Sequence, residues 1–137
     1  MTALDPDIAA AVRDVLQDAP VGVRFAYVHG SAAAGRLGPE SDVDVALWAD
    51  RALSPDERLE ISQRLERHLH RTVDLLDLRR GDAIVRMQVL EHGVPVLVED
   101  ARALAEFRMY TPALYFDVKI QRRPVEQAMA AWARTCR

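Results

Sequence analysis

One cysteine, Cys136, among 137 residues leaves no partner for an internal disulfide and no ligand cluster for zinc, and suits a reducing cytoplasm. No uncharged run exceeds the 11 residues from Phe25 to Gly35, short of the roughly 18 a membrane-spanning helix needs. The opening Met1-Thr2-Ala3-Leu4-Asp5 lacks the basic and apolar regions of a secretion signal, so the chain is read as cytoplasmic. There is no Gly-rich Walker loop and no Ser-His-Asp set. A net charge of −3 argues against wrapping bulk nucleic acid, though not against binding a nucleotide locally. What is present is 50% hydrophobic and 28% charged residues, the mix of a globular domain able to bury its own core.

The pattern along the chain predicts the order αβ(α)βαβαβα, an α/β fold with a small mixed β-sheet of about four strands flanked by helices. Asp5-Pro6 opens a first helix with Ile8, Val12, Val15 and Leu16 at helical spacing. Val21 to His29 reads as a strand with Val23, Phe25 and Tyr27 on one face, and Gly30-Ser31 breaks it. A short helical turn follows at Ala32–Gly35, then loop chemistry from Leu37 to Ser41 and a second strand from Val43 to Ala49. Ser54-Pro55-Asp56-Glu57 is a capping box opening a helix to about Leu69. Thr72 to Leu78 is a third strand, Gly81-Asp82 opens a helix that Gly93 closes, and Val94 to Val98 is a fourth strand.

The whole chain, 1–137, reads as a single domain with a core at 1–100 and a helical appendage at 101–137. Pro112 and Pro124 should interrupt that appendage. It carries seven basic and three acidic residues, and its apolar residues lie on more than one side of the helix: Leu104, Phe107, Leu114 and Val118 on one line, Met109, Tyr110, Phe116 and Ile120 elsewhere. The core can cover one side and a partner protein the other. Phe107, Arg108, Tyr110, Tyr115, Phe116, Arg122 and Arg123 are the kind of anchors interfaces favour.

The chemistry concentrates in Tyr27-Val28-His29-Gly30-Ser31, ten further residues, and Asp42-Val43-Asp44. Two carboxylates two apart on a strand project from one face and can share hard cations such as Mg²⁺. Two such ions can stabilise both the attacking and the leaving oxygen of a phosphate displacement. Gly30 permits close backbone approach to a phosphate, and Ser31 offers a hydroxyl. Asp74, inside the apolar run Val73 to Leu76, is costly there without a partner. If its strand lies beside the Asp42/Asp44 strand, it faces the same cations and can orient or deprotonate an attacking hydroxyl. Asp77 is the rival for that third role, but it is an odd number of positions away and faces the opposite side.

Gly-Ser, ten residues, Asp-x-Asp and an acid on a later strand resembles the DNA polymerase β-like nucleotidyltransferase superfamily. At this length the chain is similar to its minimal (MNT-type) members, the adenylyltransferase antitoxins encoded beside HEPN-domain toxins. The resemblance covers roughly residues 8–98, including Glu91-His-Gly-Val-Pro-Val-Leu97. It implies a polymerase β-like fold, with Gly30 and Ser31 holding nucleotide phosphates, Asp42 and Asp44 binding Mg²⁺, and Asp74 completing the metal site. Arg36 either joins the nucleotide-binding set or points to solvent. The implied reaction is transfer of AMP from ATP, with two Mg²⁺ ions, to a hydroxyl. The implied acceptor is a tyrosine of a cognate HEPN ribonuclease toxin, which this protein would silence as antitoxin. The alternatives are a small-molecule enzyme of the aminoglycoside-modifying kind and neutralisation by docking alone. Neither a membrane nor a nucleic-acid substrate is expected.

Other features read as structural. Arg86 and His92 match a HEPN ribonuclease spacing, but six residues apart on one helix they point about 120° away from each other. Glu66, His68 and His70 close a helix rather than bind a metal. Arg79-Arg80 form a solvated turn or reach a triphosphate, and Trp48 and Trp132 pack in the core.

Overall fold

The computed structural model describes residues 4–36, 38 and 41–135. The Leu37–Ser41 loop therefore lies partly outside the described residues, as do Cys136 and Arg137. The elements are α1 (Pro6–Gln17), β1 (Val23–His29), α2 (Gly30–Ala33), β2 (Val43–Ala49), α3 (Pro55–Leu69), β3 (Val73–Asp77), α4 (Ala83–His92), β4 (Val94–Val98) and α5 (Ala101–Thr135). None of these helices is long and apolar enough to cross a membrane.

Helix boundaries follow local chemistry. Asp5 caps α1 by accepting from the Asp7 N–H at 2.9 Å, with Pro6 at the first position. The Ser54–Glu57 capping box closes in both directions at α3, at 3.1 and 2.9 Å. His70 ends α3 in the left-handed conformation, its N–H donating to the Glu66 carbonyl, so this His/Glu cluster does close the helix. Asp82 caps α4, and Gly93 ends it for a steric reason: a Cβ there would press on the Val89 carbonyl and on the Tyr27 ring.

The strands form one sheet in the order β3-β2-β1-β4. β1 pairs antiparallel with both β2 and β4, whereas β2 and β3 are parallel, with α3 supplying the crossover a parallel pair requires. One face packs on α1 and α3 through Val12, Leu16, Ile61 and Leu65 against Val45 and Leu47. The other carries Phe25, Tyr27 and Ala46 beneath Val89 of α4 and Leu104 and Phe107 of α5. Val23 does not share a face with Phe25 and Tyr27: the register with β2 shifts between Val23 and Phe25, and Val23 joins the α1/α3 side. An extra residue at a bulge reverses the facing of everything before it.

The appendage differs most from expectation. α5 runs unbroken through Pro112 and Pro124. Each proline removes one donor and crowds the carbonyl four residues back, a cost of about 3 kcal/mol, but the residues carrying those carbonyls, Arg108 and Ile120, are exposed and water can serve them. The helix buries Leu104, Phe107 and Thr111 and then leaves the core. Trp132 is accordingly 69% exposed rather than packed. Trp48 is packed: it stacks on Phe25 with ring centroids 6.0 Å apart.

Candidate active site

The Gly-Ser loop is the point where β1 ends. His29 adopts extended backbone, Gly30 turns to φ +68°, and α2 follows for one turn. Any other residue would be strained at that angle. A Cβ on Gly30 would also overlap the Asp44 carboxylate, so glycine is required twice over. In the fold Asp44 occupies the side of Gly30 that a Cβ would fill.

Asp44 lies opposite His29 across the β1–β2 pair and beside Asp74 across the parallel β2–β3 pair. Asp42 sits one residue ahead of β2. Asp44 is half-buried, whereas Asp42 and Asp74 are exposed, Asp74 on the edge strand of the sheet. The cost expected for an acid at position 74 is therefore not incurred. The buried acid of β3 is Asp77, 2% exposed. It faces the α1/α3 side as its parity requires, accepting from the N–H groups of Leu53 at 2.8 Å and Arg79 at 3.1 Å, with the Arg80 guanidinium 3.8 Å away.

The electrostatics agree with this crowding. Burial raises the Asp44 pKa, the His29 ring opposes that rise, and repulsion from Asp74 and Asp42 adds to it. His29 shifts the other way: burial lowers its pKa against the attraction of Asp44 and Asp74, and its Nε2 is buried with no hydrogen-bond partner among the described residues. Asp44 with Asp42 and Asp74 beside it is a donor set of oxygens alone, the chemistry a hard divalent cation takes. They are adjacent rather than convergent: among the described residues no group of three or more His, Cys, Asp or Glu side chains is arranged around a single metal position.

A cavity of about 500 Å³ opens beside the loop. One wall is His29, Gly30, Ser31, Ala34 and Arg36, and the other comes from α4. Arg36, exposed and tied through its N–H to the Ser31 carbonyl at 2.8 Å, lines this space together with Gly30 and Ser31. The carboxylates are not part of the lining. His29 and Gly30 are common to both, lining the cavity and lying opposite or against Asp44.

The β3–α4 turn is not a freely solvated one. Arg79 donates to the Ala49 carbonyl at 2.7 Å and lies 4.3 Å over the Trp48 ring, and Arg80 donates to the Leu53 carbonyl at 3.1 Å. Arg86 donates to the Leu78 carbonyl at 2.7 Å and holds the same turn, a structural task unrelated to ribonuclease chemistry.

Residues 11–102 match the polymerase beta, nucleotidyltransferase family. The chain belongs to that family. Over 79 residues it is 33% identical to the protein adenylyltransferase MntA of Shewanella oneidensis, a stretch covering 58% of this chain and 57% of that relative, so the match spans little more than half the relative's length. In structure it is similar to a chain of a toxin–antitoxin complex solved with AMP-PNP, at a TM-score of 0.81 and 24% identity over 89% of this chain and 98% of the other. It is also similar to a chain of the complex between a tri-AMPylated Shewanella oneidensis HEPN toxin and its MNT antitoxin, at 0.74 and 23% identity over 90% and 96%. The pairing of β1 with β2 puts the Gly-Ser loop beside the Asp-x-Asp strand. The α4 wall of the cavity was not singled out from sequence. Its signal was available: Val85, Gln88, Val89 and His92 recur at helical spacing.

Proposed function

We propose that this protein transfers AMP from ATP to a hydroxyl on a partner protein of the HEPN-toxin type, and so acts as its antitoxin. The observation that carries the reading is Asp44 held in register with Asp74 and against Gly30 of a Gly-Ser loop that opens on a nucleotide-sized cavity. The relatives named as an adenylyltransferase and as a toxin–antitoxin complex support the acceptor class.

Asp42, Asp44 and Asp74 would hold Mg²⁺, which when bound neutralises the triphosphate and the charge developing on its oxygens. The Ser31 hydroxyl donates to a phosphate oxygen and Arg36 supplies a counter-charge from the same wall. Asp74, exposed on the edge strand, is where an incoming hydroxyl is oriented and its proton taken. The acceptor oxygen bonds to the α-phosphorus, the α–β bridging bond breaks, and pyrophosphate leaves. The exposed part of α5, with Lys119, Arg122, Arg123 and Arg134 against Asp117 and Glu126, is a basic surface bearing apolar side chains, suited to an acidic helical partner.

The test is incubation of the protein and its partner with ATP and Mg²⁺, read by intact-mass spectrometry. Wild type should add the mass of AMP to the partner, and Asp44→Asn should reduce transfer by orders of magnitude without lowering the melting temperature. Undiminished transfer by Asp44→Asn would overturn the site. No modification of the partner by wild type would overturn the activity.

A further inference from the structure

The cavity beside the Gly-Ser loop has a second wall whose chemistry differs from the first. It is made by Val85, Gln88, Val89 and His92. These positions stand at i, i+3, i+4 and i+7, so a single face of α4, roughly 10 Å long, is turned toward the loop. That face is held in place by the Asp82 cap at the start of the helix and by Val89, buried with Tyr27, Leu104 and Phe107, toward its end. Val89 is buried and Val85 half-buried, while Gln88 and His92 are exposed. The face is thus apolar where it enters the core and polar, through Gln88 and His92, where it borders the cavity.

Taken with the nucleotide reading above, on which this rests, the two walls divide the labour. The loop wall offers a hydroxyl and a guanidinium, groups that suit phosphates. The α4 wall offers aliphatic surface for a flat ring, the Gln88 amide carrying both a donor and an acceptor, and the His92 imidazole one turn further on. We propose that α4 is the nucleobase wall and that Gln88 sets the base preference by reading the N6/N7 edge of adenine. The amide carbonyl accepts from the N6 amino group while the amide N–H₂ donates to N7. Guanine presents two acceptors, O6 and N7, on that edge, so one of the two bonds is lost whichever way the amide is turned.

The experiment compares ATP and GTP on the full-length protein, by equilibrium binding in the presence of Mg²⁺ and separately by AMP or GMP transfer to the partner. Wild type should favour ATP in binding by about 5- to 150-fold, the range of one bidentate base contact. Gln88→Leu, which keeps the bulk and removes both hydrogen-bonding groups, should bring that ratio close to one mainly by weakening ATP. Gln88→Glu, which can accept from N6 but not donate to N7, should weaken ATP binding yet still disfavour GTP, whose O6 and N7 are both acceptors facing a carboxylate. Because Gln88 is exposed, neither variant should melt earlier than wild type. The proposal is overturned if wild type binds the two nucleotides equally, if Gln88→Leu keeps the wild-type ratio, or if it weakens both nucleotides alike. Failure of the transfer reading is distinct: there the binding preference would stand with no modified partner.

Discussion

Asp74 and Asp77 are three residues apart on one short strand and have opposite fates. Asp74 lies exposed in register with Asp44; Asp77 is buried and accepts two backbone N–H bonds on the other side of the sheet. Their substitutions should separate cleanly. Asp74→Asn should abolish transfer and leave the melting temperature unchanged. Asp77→Ala leaves the buried Leu53 N–H unpaired and should cost about 1–3 kcal/mol, while transfer per folded molecule stays near wild type. Thermal melts alongside transfer assays on both variants decide it, and interchanged effects would place the third acid at 77. Parity along the strand was legible from sequence and put Asp74, not Asp77, on the face of Asp44. Burial was not: both acids sit in the same apolar run, and only the approach of the Leu53 loop makes one of them structural.

At the scale of the element, the N-terminus of α3 concentrates several weak effects. Glu57 accepts from the Ser54 N–H and takes two bonds from Arg51, at 2.6 and 2.7 Å. The Arg51 guanidinium and the Ser54 backbone bond hold the Glu57 carboxyl down to about 2, from an ordinary 4.5. A carboxyl lowered in the folded state binds fewer protons there than when unfolded, so its stabilisation is present above pH 4.5 and is lost as pH falls from there toward 2. Urea melts from pH 6 to pH 2.5 should show wild type losing stability across that window more steeply than Glu57→Gln. Equal slopes would mean the carboxylate is not held in solution. Capping boxes, caps and closing glycines were readable because their chemistry is local, which is why α3, α4 and β4 were legible almost to the residue. The bulge in β1 was not, because Val23, Phe25 and Tyr27 alternate regularly and only pairing with β2 breaks the alternation. The α4 wall went unread for a related reason: its spacing is that of any half-buried helix until a cavity is known to lie beside it.

Across the whole molecule the sheet has one face closed by α1 and α3 and one shared between the acids and the helices α4 and α5. α5 leaves that face after Thr111 and continues for 24 residues, roughly 36 Å. Met109, Tyr110, Phe116, Ile120, Met129 and Trp132 are all exposed on it. The mixture of apolar and basic side chains was visible in the sequence; that the prolines would not divide the helix was not, since solvent access to the affected carbonyls is a tertiary property. Charge reversal of Arg122 and Arg123 to Glu should weaken co-purification with the partner by tenfold or more while melting temperature and Mg²⁺-dependent ATP binding stay at wild-type values. Unchanged partner capture would move the docking face off α5.

Among the described residues the strand that carries Asp74 also has a single neighbour. Such a margin offers unsatisfied backbone to any other chain that can lie along it, and long flat examples seed aggregates. Here the strand is five residues long, bears an exposed acid near its start, and has the Leu75 carbonyl taken by the Arg58 guanidinium at 2.7 Å. Arg58 comes from α3, the crossover helix that made the parallel pairing possible. The same helix thus delivers the strand to its place and blunts its outer margin, so the acid can stand open to an incoming protein without inviting that protein's strands, or those of a second copy, to extend the sheet.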